Sequence, residues 1–136
     1  MNILFFLTPK AMCTWLDENF TLRQAMEKME SSGFSALPVL NRDNGYVSVI
    51  TEGDLLRALR RICVMDLRQT EEHSLREITP RRQVYPVKVD ANIEDLVLMA
   101  AGQNFVPVTD DAGSFIGIVT RSRILQYCAE KALLKS

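Results

Sequence analysis

Apolar residues Leu22, Ala25, Met26 and Met29 fall at i, i+3, i+4 and i+7, the spacing that gathers side chains on one face of an amphipathic helix. Ile93, Leu96, Val97 and Ala100 repeat that spacing, each 71 positions downstream of its counterpart. The same offset relates Thr8-Pro9-Lys10 to Thr79-Pro80-Arg81, and the apolar Leu7 to Ile78. Each predicted helix opens on a cap: Thr21 with Gln24 forms a capping-box pattern, and Asn92 with Asp95 combines a cap with a first-turn carboxylate. Past the helices the offset shortens to 69 and the correspondence continues. Ala36-Leu37-Pro38-Val39-Leu40 and Phe105-Val106-Pro107-Val108-Thr109 predict buried strands, each with a proline near its start, where a missing N–H is tolerated. Asn41 to Gly45 and Asp110 to Gly113 predict hairpin turns with the glycine at a position of positive φ. Second strands follow at Tyr46 to Ile50 and Phe115 to Val119. Helices then start at Thr51-Glu52-Gly53-Asp54, with apolar Leu55, Leu56, Leu59 and Ile62, and at Thr120-Arg121-Ser122-Arg123, with Ile124, Leu125 and Cys128.

The repeat divides the chain into a first copy at 1–64, a linker at 65–78 and a second copy at 79–136. The linker is rich in charge, and Ser74 with Glu77 is a further capping-box pattern that predicts a short helix or turn. About 60 residues of this kind bury too little surface to be comfortably stable alone, so two copies packed sheet to sheet are the expected mixed α/β (α+β) fold.

Composition narrows the partners. The 136 residues are 47% hydrophobic and 24% charged, proportions of one soluble globular domain. Sixteen basic against 17 acidic residues leave no excess positive charge for nucleic-acid binding by counterion release, although a small local anion remains allowed. Cys13, Cys63 and Cys128 are odd in number and widely spaced, so they predict neither a disulfide framework nor a zinc site, and a reducing cytoplasm is the simplest expectation. The apolar run Ile3 to Leu7 is too short for a signal peptide, has no basic residue before it and ends at Thr8-Pro9-Lys10; it is expected to pack on the domain. No stretch approaches the roughly 20 apolar residues of a membrane span.

Catalytic chemistry finds little support. The single histidine, His73, lies among linker glutamates as a solvated residue would, and the three cysteines sit in apolar contexts. The turn carboxylates Asp43, Asp110 and Asp111 and the helix-face Glu27 and Glu30 are explained by solubility, and no Walker or dinucleotide-binding glycine pattern occurs. The strand-to-helix junctions stand apart. The Thr51 hydroxyl and the backbone N–H groups after it form an anion-binding concavity at a helix N-terminus, with the Asp54 carboxylate one turn on as an acceptor for ribose hydroxyls. The same two residues equally make a good helix start, and both readings stand at this level. In the second copy the aspartate position holds Arg123, with Arg121 before it, a donor pair suited to phosphate or carboxylate. Lys10, Arg81 and Arg82 add charge in the lead-in segments.

These residues resemble a tandem pair of CBS (cystathionine-β-synthase) domains, a Bateman module. The resemblance is carried by Ser35-Ala36-Leu37-Pro38-Val39, Phe105-Val106-Pro107-Val108, the turns at Gly45 and Gly113, Gly117-Ile118-Val119-Thr120 and Ile50-Thr51-Glu52-Gly53-Asp54-Leu55-Leu56. It implies two β-α-β-β-α units related by a pseudo-twofold axis, sheets packed together, with two clefts between the halves, pairing into a homodimer. It also implies adenosine-containing ligands (AMP, ADP, ATP, S-adenosylmethionine or cyclic di-AMP), held as regulatory ligands without a cofactor or catalysis. Carried over, the first cleft uses Thr14, Leu16, Ser35, Ala36, Leu37 and Pro38 around the base, with Thr120 and Arg121 toward phosphate. The second uses Tyr85, Val87, Phe105, Val106 and Pro107 around the base, with Thr51 toward phosphate and Asp54 toward ribose. Two positions depart from the pattern: Arg123 replaces the ribose-binding acid, and Ser48 stands where the other copy has Gly117. Arg123 favours a ligand with more phosphate charge, and Thr120-Arg121 with Phe34 to Pro38 is similar to stand-alone bacterial CBS-pair proteins that bind cyclic di-AMP.

The expected function is a non-catalytic sensor that transmits nucleotide occupancy in trans to an effector protein, with no nucleic-acid or membrane partner. The alternative is a structural dimerisation module with no physiological nucleotide.

Overall fold

The computed structural model describes residues 2–62 and 66–135; Cys63 lies outside them. In chain order they form β1 (Thr8–Pro9), β2 (Leu16–Asp17), α1 (Leu22–Ser32), β3 (Ala36–Leu40), β4 (Tyr46–Thr51), α2 (Glu52–Ile62), β5 (Val87–Lys88), α3 (Ile93–Ala100), β6 (Phe105–Thr109), β7 (Phe115–Thr120) and α4 (Arg121–Lys135). Short 3-10 turns lie at Ile3–Phe6, Lys10–Met12, Leu67–Glu71 and Leu75–Glu77. The chain makes two compact units, one of Thr14–Val84, the other of the N-terminal segment through Cys13 together with Tyr85 onward.

In the Thr14–Val84 unit the sheet order is β2-β3-β4, with β2 parallel and β4 antiparallel to β3. The β2 strand pairs only Val39 and Leu40, so Pro38 lies before the parallel ladder begins and its missing N–H costs that ladder nothing. Thr21 and Gln24 form the expected capping box at α1, and Gly33 ends the helix in the left-handed region at φ 74°. Leu16, Leu22, Ala25, Met29, Leu37, Val39, Ile50, Leu55 and Ala58 make the core. Leu75 and Ile78 join them, so the charged linker is part of this unit. It is sewn to the lead into α1 by Leu22 N to His73 O (2.8 Å) and Leu75 N to Phe20 O (2.9 Å), and the Ser74–Glu77 capping box forms. His73 is half-buried, with Nδ1 2.9 Å from Glu77 Oε1, rather than a loose solvated side chain.

The other unit has the order β1-β7-β6-β5. Its β5-α3-β6-β7-α4 run repeats the β2-α1-β3-β4-α2 run, and β5 again pairs only the two residues after the strand proline. Asn92 caps α3 through Asp95 N at 3.0 Å. The core holds Val87, Leu96, Ala100, Val106, Val108, Val119 and Ile124, with Ile3 and Phe6 from the chain's first turn among them. The N-terminal apolar run therefore packs on the domain as its pattern suggests, but on the second repeat. Phe5 and Leu4 alternate outward and stay exposed.

The β1 strand reaches β7 through a gap that only glycine leaves. Gly117 has φ 154°, and a Cβ built there would sit 2.2 Å from the Thr8 carbonyl oxygen. The corresponding place in β4 is Ser48, and among the described residues no strand pairs with that edge of β4. The departure at Ser48 thus marks where the two repeats stop being alike. The first hairpin also differs from expectation. Gly113 takes positive φ (85°), but in the first repeat Asn44 takes it (65°) and Gly45 does not. Asn tolerates the left-handed region, and Gly45 instead leaves room for the Asn41 side chain, whose Nδ2 would lie 2.7 Å from an added Cβ.

Candidate functional site

The junction of β4 and α2 borders an open cleft of about 480 Å³ lined by the polar residues Thr51, Asp54, Arg57, Arg81 and Arg82. Its local geometry follows from the Thr-x-x-Asp spacing. Thr51 Oγ1 accepts from Asp54 N (3.0 Å), and Asp54 Oδ2 accepts from Thr51 N (2.9 Å), a reciprocal cap that fixes the first turn of α2. Asp54 Oδ1 accepts from Arg81 N (3.0 Å) and from Arg57 Nη2, one turn along the helix. Only 3% of the Asp54 side chain is exposed. Burial pushes its pKa up, but the donors from Arg81, Thr51 and Arg57 together outweigh burial and hold the carboxyl below its ordinary value. The result is an ionised acid in a cleft with three arginines.

Thr51 and Asp54 have two places in this geometry. They cap the helix, and they line a cationic cleft. The residue missed in the sequence is Arg57, which reads there as one more charge on a polar helix face. Its signal was the i, i+3 relation to Asp54.

The remaining candidates sort by burial. In the first unit Leu16 and Leu37 are core residues, Pro38 is buried, Thr14 and Ala36 are half-buried, and Ser35 is exposed with its carbonyl accepting from Glu52 N (2.9 Å). In the other unit Val87, Phe105, Val106 and Pro107 are buried and Tyr85 is exposed. Leu16, Leu37 and Val106 have their side chains in the cores of their units.

The second strand-to-helix junction is chemically different. Thr120 Oγ1 accepts from Arg123 N (3.2 Å), repeating the cap, but Arg121 Nε donates to the Ala100 carbonyl at the end of α3 (2.8 Å). Arg121 so satisfies a helix C-terminus, where positive charge is favoured. Arg123 lies over the Phe6 ring at 5.2 Å and reaches Gln126 Oε1 at 3.3 Å. The arginine that replaces an acid in this copy is held by the N-terminal segment that only this unit carries.

Cys13 donates to the Thr8 and Pro9 carbonyls at 3.4 and 3.3 Å, and burial raises its thiol pKa, the opposite of what a reactive thiolate needs. Among the described residues no three His, Cys, Asp or Glu side chains gather as metal ligands, and no helix is long and apolar enough to cross a membrane.

A family model for the CBS domain matches twice, at residues 11–61 and 75–130. Among curated proteins, an A-adding tRNA nucleotidyltransferase of Aquifex aeolicus (strain VF5) is 29% identical over 117 residues, 85% of this chain; the match spans only 13% of that protein. Among solved structures, CbpB in complex with c-di-AMP superposes with a TM-score of 0.85 at 21% identity, covering 99% of this chain and 87% of that one. CBSX2 in complex with AMP does so with a TM-score of 0.74 at 22% identity, covering 96% and 98%. The duplicated β-α-β-β-α unit, its Thr-capped junctions and the paired family match agree, and the chain belongs to the CBS domain family.

Proposed function

We propose that the chain is a non-catalytic regulatory module that binds an adenine nucleotide and passes its occupancy to a partner protein. The observation that carries this reading is the β4–α2 cleft, where an ionised, buried Asp54 and the arginines Arg57, Arg81 and Arg82 surround a helix N-terminus. An acid able to accept from ribose hydroxyls beside cations able to pair with phosphate is the donor and acceptor set of a nucleoside phosphate. Family members of the same fold that hold c-di-AMP and AMP support the choice of adenine compounds. Occupancy becomes a signal only if the ligand prefers one of two conformations or assemblies. Calorimetric titration with AMP, ADP, ATP, S-adenosylmethionine and cyclic di-AMP tests the reading. We expect saturable binding of at least one, with a matching rise in thermal midpoint; no heat and no shift with any of the five removes it.

A second reading, a dimerisation module, rests on the other unit. There α3 and α4 border an open groove of about 600 Å³ lined by Ile93, Val97, Leu98 and Tyr127, with Glu94 and Lys131 at its edges. One acid and one base on a single apolar face suit an isologous contact with a second copy, each charge meeting its opposite across the twofold. This reading survives a negative titration, whereas the first does not.

A further inference from the structure

Asp54 is the acceptor on which the proposed ribose contact depends, and its Oδ1 is already shared between two donors. One is the Arg81 backbone N–H at 3.0 Å; the other is the Arg57 guanidinium. Thr51 N takes Oδ2. The two N–H donors belong to the backbone of the junction and of the segment that follows the linker, so they cannot leave without undoing local structure. Arg57 differs. It is a side chain on rotatable bonds, 48% exposed, that folds back over Gly53, where an added Cβ would come within 3.2 Å of Nη1. It lines the same cleft as Arg81 and Arg82.

We propose that Arg57 is the specificity-determining residue of this cleft, setting it to accept phosphorylated adenosine ligands and to reject adenosine. This rests on the nucleotide-binding reading above. A ribose that approaches Asp54 competes with Arg57 for Oδ1. Neutral hydroxyl donors are poorer partners for a carboxylate than a guanidinium, so ribose alone loses an ion pair and leaves Arg57 without its counter-charge. A phosphate in the same cleft restores the balance, because its oxygens re-pair the released guanidinium, bidentately where the geometry allows. Discrimination then comes from a group that the wrong ligand strands, which is more selective than an added attraction.

The test is a titration of AMP and of adenosine into the wild type, Arg57→Ala and Arg57→Lys, each checked for folding by its cooperative thermal transition. The wild type is expected to prefer AMP by about a hundredfold, the scale of one hydrogen-bonded charge partner. In Arg57→Ala adenosine binds about tenfold more tightly than to the wild type and AMP more weakly, so the preference collapses. Arg57→Lys keeps a cation able to leave Asp54 for phosphate and retains most of the preference. An unchanged AMP-to-adenosine ratio in Arg57→Ala, or equal weakening of both ligands, overturns the proposal while leaving nucleotide binding intact. Loss of the preference in Arg57→Lys to the alanine level also overturns it, since charge would then not be the discriminator. A wild type that binds neither ligand nor any other adenine nucleotide overturns this proposal and the nucleotide-binding reading together.

Discussion

Asp54 carries two roles that pull in the same direction. Its carboxylate closes the first turn of α2 and ties in the backbone at Arg81, so its charge is part of the fold before any ligand is considered. Because those donors hold the folded carboxyl below its ordinary value, its contribution is fully present above the unfolded pKa of about 3.9 and is lost as pH falls through the folded value. Glu77, lowered mainly by its bond from His73 and by Ser74 N, adds in the same sense. The urea midpoint of the wild type is therefore expected to fall progressively as pH drops below about 4. Asp54→Asn should lower stability at neutral pH by about 2 kcal/mol and flatten that acid slope. Parallel slopes for the two proteins would mean that the charge of Asp54 does not matter to the fold. In the sequence, Thr51 and Asp54 were legible as a pair because a cap and its acceptor sit at fixed spacing. Arg57 was not, because a solvated helix arginine and one turned back on a buried acid have the same local pattern.

At the scale of elements, the helices, the central strands and the caps at Thr21, Asn92 and Ser74 follow from local periodicity and turn chemistry, which is why they were readable. The partner of the N-terminal strand was not, since pairing Thr8 and Pro9 with Ile118 and Gly117 joins residues more than a hundred positions apart. The trace it left was Gly117 against Ser48. Gly117→Ala puts a methyl group into the Thr8 carbonyl and asks a side chain to adopt φ 154°. It should cost about 2–3 kcal/mol and strip amide-exchange protection from β1 and the Ile3–Phe6 turn. Ser48→Ala, at the unpaired edge, should stay within about 0.5 kcal/mol. Equal effects at the two positions would mean that β1 does not depend on the missing Cβ.

At the scale of the whole molecule, the repeats share a fold and divide their surfaces. The α1 face of the first carries the ion pairs of Arg23 with Glu27 and Glu71, whereas the matching α3 face shows Val97 and Leu98, the latter 76% exposed. That difference was visible as residue types, but not as a surface, because the sequence does not say which apolar helix positions the sheet leaves uncovered. On the dimer reading, light scattering should give twice the 15.4 kDa chain mass for the wild type. Leu98→Asp, which buries a carboxylate in the contact, should return it to the monomer mass. A monomeric wild type at tens of micromolar would end that reading.

The early turn at Ile3–Phe6 bears on the order in which a nascent chain acquires its structure. Thr14–Val84 is contiguous in sequence, whereas Ile3 and Phe6 find their core partners only once Phe115–Thr120 has been made. Joining Pro9 to Gly117 through free coil means closing a loop roughly twenty times longer than a hairpin's, an entropic handicap of about 3 kcal/mol. Once Thr14–Val84 is folded, most of that loop is no longer coil, and the handicap shrinks accordingly. A lesion in the core of Thr14–Val84 is therefore expected to slow the pairing of β1 with β7, in a unit to which that core does not belong.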